Sequence, residues 1–140
     1  MWFWIFMLVM NIWLPIFMIG FGRHFLKHAP KEINPVFGYR TSMSMKNQET
    51  WQFAHHYMGR LWYISGLILL PLSAVLMLPL LGKDTDTIGM LGSLICIAQI
   101  VVIIGEIIPT EMALHKKFDK QGRPRETVGT AVAEEGEKRV

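Results

Sequence analysis

Three apolar runs of nearly equal length dominate the pattern of hydrophobic and polar positions: Trp2–Gly22, Leu61–Gly82 and Ile88–Ile108. As helices of about 21 residues each spans about 31 Å, the thickness of a bilayer's hydrocarbon core. None contains Lys, Arg or Asp, and Glu106 is the one ionised side chain within them. A helix of a water-soluble core would carry a polar stripe, and these carry none. The pattern predicts an all-α integral membrane protein with three transmembrane helices. Between the first two runs lies a polar, aromatic-studded segment, 23–60. Its first part, "HAPKEINPVFGYRTSMSMKN", has Pro30, Pro35 and Gly38 at short intervals and reads as an ordered loop. Its second part, "NQETWQFAHHYMGRLW", reads as a helix with Asn47 as N-cap and Glu49 in the first turn. Trp51, His55, Met58 and Trp62 then share one face. The expectation is a short interfacial helix, Gln48–Tyr57, at the membrane surface and continuous with, or bent from, the second span.

Within the spans, Pro15 leaves the Asn11 carbonyl without its helical donor, and Pro71 and Pro79 predict bending in the second helix. Small residues recur at Gly59, Gly66 and Ser73, and as the pairs Gly89/Ser93 and Gly92/Cys96, so close helix approach and self-association are both expected. Asn11 and Gln99 fall at similar depth and are expected to pair as polar glue. Cys96, the single cysteine, reads as a small packing residue. The first run lacks a basic leader and a small-x-small cleavage site, so it reads as a permanent anchor. Residues 1–118 are expected to form one transmembrane domain, with 111–118 prolonging the third helix. Residues 119–140 are expected to be a flexible cytoplasmic tail.

Charge changes this picture only by orienting it. Arg23, Lys27, Lys31, Arg40, Lys46 and Arg60 lie in segment 23–60, and seven further cations follow Thr110. The turn 83–88 has Lys83 against Asp84 and Asp86, and nothing charged precedes residue 22. Positive charge favours the cytoplasmic side, so the N-terminus is expected outside, with loop 23–60 and the C-terminus inside. The basic excess is thus a topology signal with anionic lipid as its counter-charge, and no nucleic-acid partner is expected.

Candidate chemistry is sparse. An unpaired carboxylate at Glu106 is costly at that depth, so pairing with Arg40 or Arg60 is expected to fold the loop into the mouth of the bundle. His24/His28 and Glu111/His115 have i,i+4 spacing, and His55, Glu106, Glu111 and His115 are weak candidates for metal ligands. There is no HExxH motif, no cysteine pair and no phosphate-cradling glycine loop, so neither metal nor cofactor is expected. A Ser–His pair from Ser42 or Ser44 with His55 has no supporting motif. An enzyme or carrier working on a lipid or small substrate at the cytoplasmic leaflet, with Arg40 and His55 at its site, is one alternative reading. A docking protein whose basic stretch 115–125 holds a soluble partner is another.

The run "INPVFGYRTSMSMKNQETWQFAHHYMGRLW" resembles the signature of the SdpI family of bacterial membrane proteins. In that family a loop of the form N-x-x-x-G-[YF]-R-T, a Ser/Asn-containing stretch and W-x-x-x-H join two transmembrane helices. The matching positions are Asn34, Gly38, Tyr39, Arg40, Thr41, Ser44, Asn47, Trp51 and His55. The resemblance covers roughly residues 15–108. It implies a protein of the bacterial cell membrane giving immunity against a membrane-active toxic peptide, in a short three-helix form. Recruitment of a cytoplasmic repressor is a second role it implies. Taken with the residue reading, the ligand-binding or architectural centre is expected at Asn34, Tyr39, Arg40, Thr41, Asn47, Trp51, His55 and Glu106.

Overall fold

A computed structural model describes residues 1–139, with side chains for all of these except 127–133. Five α-helices follow one another: α1 (Trp2–His28), α2 (Gln48–Met77), α3 (Thr85–Gly105), α4 (Ile107–Lys117) and α5 (Arg125–Lys138). Among the described residues three helical rods are long and apolar enough to cross a membrane: α1, α2 with the 3-10 turn Leu78–Leu80, and α3 with α4. Their outer faces carry exposed Trp13, Ile68, Val101, Ile104 and Ile108. Such a surface is stable only against hydrocarbon, and the chain is a multi-pass membrane protein.

α2 resolves the choice left open by the sequence: the polar helix and the second span are one continuous element. Its 30 residues make a rod of about 45 Å, longer than the hydrocarbon core, so its first turns stand outside the apolar layer. The Asn47 side chain caps it by accepting from the Thr50 amide at 2.9 Å, and Thr50 Oγ1 accepts from the Asn47 amide at 3.0 Å. The helix runs through Pro71 and closes in the 3-10 turn around Pro79. α3 gives way to α4 at Glu106. Pro109 explains the break, because it cannot donate to the carbonyl of Gly105 four residues earlier.

α1 packs closely along α2 and also meets α3. The small-residue stripe is what permits it. A Cβ on Gly22 would stand 2.5 Å from the Tyr63 nitrogen and 2.7 Å from the Gly59 carbonyl oxygen; one on Gly66 would stand 2.9 Å from the Pro15 oxygen. Gly20, two residues from Gly22, has nothing within 4 Å of that position. Gly22→Ala should therefore destabilise the α1–α2 pair by about 2 kcal/mol, since backbone on both sides must move, whereas Gly20→Ala should be neutral. Thermal denaturation of the two variants in detergent checks the contrast; equal melting would contradict this packing.

Several polar groups inside the bundle bond to one another, while Gln99 Oε1 and Trp62 Nε1 are buried without a partner. The expected meeting of Asn11 and Gln99 occurs, though through the backbone: Gln99 Nε2 donates to the Asn11 carbonyl at 3.0 Å, the oxygen that Pro15 leaves without a helical donor. Asn11 Nδ2 donates to the Gly92 carbonyl at 3.2 Å, and the Cys96 thiol donates to Asn11 Oδ1 at 3.2 Å. Cys96 thus contributes a hydrogen bond as well as volume. Apolar cores lie at both ends, Met7, Met77, Leu80 and Ile88 at the α2–α3 hairpin and Met43, Ala54, Leu114 and Phe118 at the loop end.

Candidate functional site

The loop between α1 and α2 is built by side chains closing on its own backbone. Asn34 Oδ1 accepts from the amides of Val36 at 3.1 Å and Phe37 at 2.7 Å, wrapping the chain around Pro35. Gly38 follows at φ +115°, a conformation L side chains rarely adopt. That turn brings the Tyr39 amide to His55 Nε2, to which it donates at 2.9 Å. On the other side of the ring, His55 Nδ1–H donates to the Trp51 carbonyl at 2.8 Å. Accepting at one nitrogen and donating at the other makes His55 a neutral imidazole of defined tautomer. It is fully buried, with the Phe25 ring edge-on at 5.2 Å and the Trp51 ring at 4.2 Å. Trp51, also fully buried, donates from Nε1 to the Pro30 carbonyl at 2.7 Å and so fixes where the loop leaves α1.

Beyond Gly38 the side chains on either side of Arg40 share one direction. Tyr39 and Thr41 turn inward; Tyr39 Oη and Thr41 Oγ1 each donate to Glu111 Oε1 at 2.6 Å. Burial and the neighbouring Glu111 carboxylate push the Tyr39 phenol well above its ordinary pKa, so it remains a donor. Ser44 closes the turn that follows, accepting from the Thr41 amide at 2.8 Å and donating to the Tyr39 carbonyl at 3.0 Å. Asn47 caps α2 and also donates from Nδ2 to the Gly122 carbonyl at 2.6 Å. Residues 119–124, at the start of the segment expected as a tail, form a turn against this cap: Asp119 accepts from the amides of Gln121 and Arg123, and Phe118 pairs with Pro124.

Arg40 is the exception to this inward order. Its guanidinium donates to the Pro35 carbonyl, and the residue is exposed. Among the described residues it forms no ion pair. The expected pairing of Glu106 with Arg40 or Arg60 does not occur. Glu106 is 8 % exposed and accepts from the hydroxyl of Ser65, with Oε2 unpartnered. The reason is geometric: Arg40 points away because its neighbours point inward, and the α3–α4 break faces Ser65, more than a turn past Arg60. The carboxylate that holds the loop is Glu111, which the sequence marked only as a weak metal candidate. A cue existed, since Glu111 is an acid among the basic residues ending the third rod, close to a loop rich in hydroxyls.

The four candidate metal ligands do not converge. Among the described residues no group of three His, Cys, Asp or Glu side chains could hold an ion. Glu111 and His115 form an i,i+4 pair at 3.8 Å, while both nitrogens of His55 are engaged by backbone.

No solved structure matches the chain. A protein of Bacillus subtilis (strain 168) described as "Uncharacterized protein YfhL" is 32 % identical over 89 residues, covering 64 % of this chain and 67 % of that protein. The pattern of the SdpI/YfhL protein family matches residues 31–110, from the residue after Pro30 to the one before Glu111. With that match spanning loop, cap, second span and third span, the chain belongs to the SdpI/YfhL family.

Proposed function

We propose that the chain is an immunity protein of the bacterial cell membrane, guarding it against a membrane-active toxic peptide. In this reading the N-terminus faces outward and the signature loop and C-terminus face the cytoplasm, as the distribution of Lys and Arg favours. The observation that carries it is the division of labour within the family signature. Gly38, Tyr39, Thr41, Ser44, Trp51 and His55 are spent on holding the loop, and Arg40 is presented outward on that rigid frame. A guanidinium held this way suits a carboxylate or phosphate on whatever the loop engages, because its planar fork binds such groups through two parallel bonds.

The test is survival of a sensitive bacterium that lacks its own immunity, challenged with the family's toxic peptide. Wild type should protect. Arg40→Ala should lower survival roughly tenfold or more at equal membrane level and equal thermal stability, with Arg40→Lys between the two. Failure of the wild type to protect would remove the immunity reading. Full protection by Arg40→Ala would remove Arg40 from it.

A further inference from the structure

A cluster of basic side chains gathers where α1 passes into the loop. A cavity of about 320 Å³ opens between the end of α1, the first residues of the loop and the early turns of α2. Lys27 and His28 from α1, Lys31 from the loop and Gln52 and His56 from α2 line it. All five carry N–H donors, and no acidic side chain lines the space. Among the described residues none of the four basic groups is in an ion pair. Basic residues in the last turn of a helix have an ordinary explanation, since they offset the negative end of the helix dipole. That covers Lys27 and His28. It does not cover Lys31 or His56, which arrive from other elements and face the same space.

The frame around the cavity is fixed. Trp51 Nε1 and Gln52 Nε2 both donate to the Pro30 carbonyl, at 2.7 and 3.4 Å, and Gln52 also reaches the Lys31 carbonyl at 3.4 Å. Depth bears on the kind of ligand that can reach the cavity. Lys27 lies five residues beyond Gly22, the end of the first apolar run, and His56 five before Leu61, the start of the second. At 1.5 Å per residue both stand about 7.5 Å outside the hydrocarbon, within the headgroup layer. Phe25 and Leu26 supply the apolar side of the same cavity.

We propose that this pocket binds the phosphodiester of an anionic phospholipid headgroup. Lys27 and Lys31 supply the charge, the two imidazoles supply directed hydrogen bonds to the phosphate oxygens, and Gln52 holds the loop in place through the Pro30 and Lys31 carbonyls. The site anchors the loop end of the bundle to the membrane surface and is independent of whatever Arg40 engages.

The experiment uses the full chain in neutral detergent, incubated with phosphatidylglycerol or with phosphatidylcholine, and native mass spectrometry reads the retained lipid. Wild type should retain phosphatidylglycerol in preference to phosphatidylcholine. Lys27→Gln/Lys31→Gln should lose that retention about tenfold or more. Lys116→Gln/Lys120→Gln, which removes the same charge from exposed positions elsewhere, should not. His56→Gln, which leaves the lysines in place, should give a smaller loss. Retention by Lys27→Gln/Lys31→Gln equal to wild type, or equal losses in both double variants, would overturn the site. Inorganic phosphate titrated into the wild-type samples separates the two sources of a phosphate group. Persistence of bound lipid supports the headgroup; displacement by low phosphate would make the ligand a soluble phosphate and overturn the lipid assignment.

Discussion

Gly38→Ala should release the signature loop from α2 and cost about 2–6 kcal/mol, a large part of a typical domain's total stability. Two independent effects add here. At φ +115° an alanine is strained whatever its surroundings, which costs about 1–3 kcal/mol. The new methyl would also collide with His55 Nε2, the atom that accepts the Tyr39 amide. Moving the ring or the loop breaks that hydrogen bond and leaves a buried imidazole nitrogen unpaired, about 1–3 kcal/mol more. Gly82 separates the two effects, because it has φ +82° but nothing within 4 Å of a Cβ. Gly82→Ala should show the strain alone. Thermal denaturation in detergent, with proteolytic nicking between residues 29 and 47 as the local readout, should rank Gly38→Ala well below Gly82→Ala. Equal behaviour would mean that the approach to His55 is unimportant.

Glu111→Ala is expected to have an effect of comparable size by a different route. One carboxylate oxygen receives both the Tyr39 phenol and the Thr41 hydroxyl at 2.6 Å. A hydrogen bond to a charged acceptor contributes about 1.5–3 kcal/mol. Because the two share an oxygen, their combined loss should be less than additive, about 2–4 kcal/mol. Glu111→Gln keeps an acceptor of the same shape without the charge and should lie between wild type and alanine. The loop should then be nicked by protease while the three rods remain intact, since no span depends on this contact. Retained protection of the loop in Glu111→Ala would show that Tyr39 and Thr41 hold it by other means.

These expectations separate what was legible in the chain from what was not. The spans were legible because an apolar run long enough to cross hydrocarbon, with no charge inside it, has few other stable settings. The Asn47 cap was legible from local chemistry, and the signature marked the loop as the part with a specific structure. Asn11 and Gln99 were legible as partners in depth. Their bond runs through the carbonyl that Pro15 frees, so the polar pair and the proline form one feature. The choice between Glu106 and Glu111 was hidden. Five residues turn a helix by about 140° beyond one revolution, and the break before Pro109 alters that phase further, so spacing alone could not say which carboxylate faces the loop. The outward direction of Arg40 was hidden for a related reason, because which of Tyr39, Arg40 and Thr41 turn inward depends on the partner Glu111, which lies some 70 residues away in the chain. The turn at 119–124 was obscured by polar composition, which is shared by loose tails and by short docked loops.

The family signature is a clamp, with the loop fastened to the third rod by Glu111 and to α2 by His55. A double-mutant cycle between Tyr39→Phe and Glu111→Gln measures the fastening directly, by thermal or denaturant unfolding of the four proteins in one detergent. A coupling energy of about 1–3 kcal/mol is the predicted result, with each single variant destabilised and the double variant little worse than the more severe of them. Additive losses, with coupling near zero, would contradict the clamp and return Glu111 to an ordinary surface carboxylate.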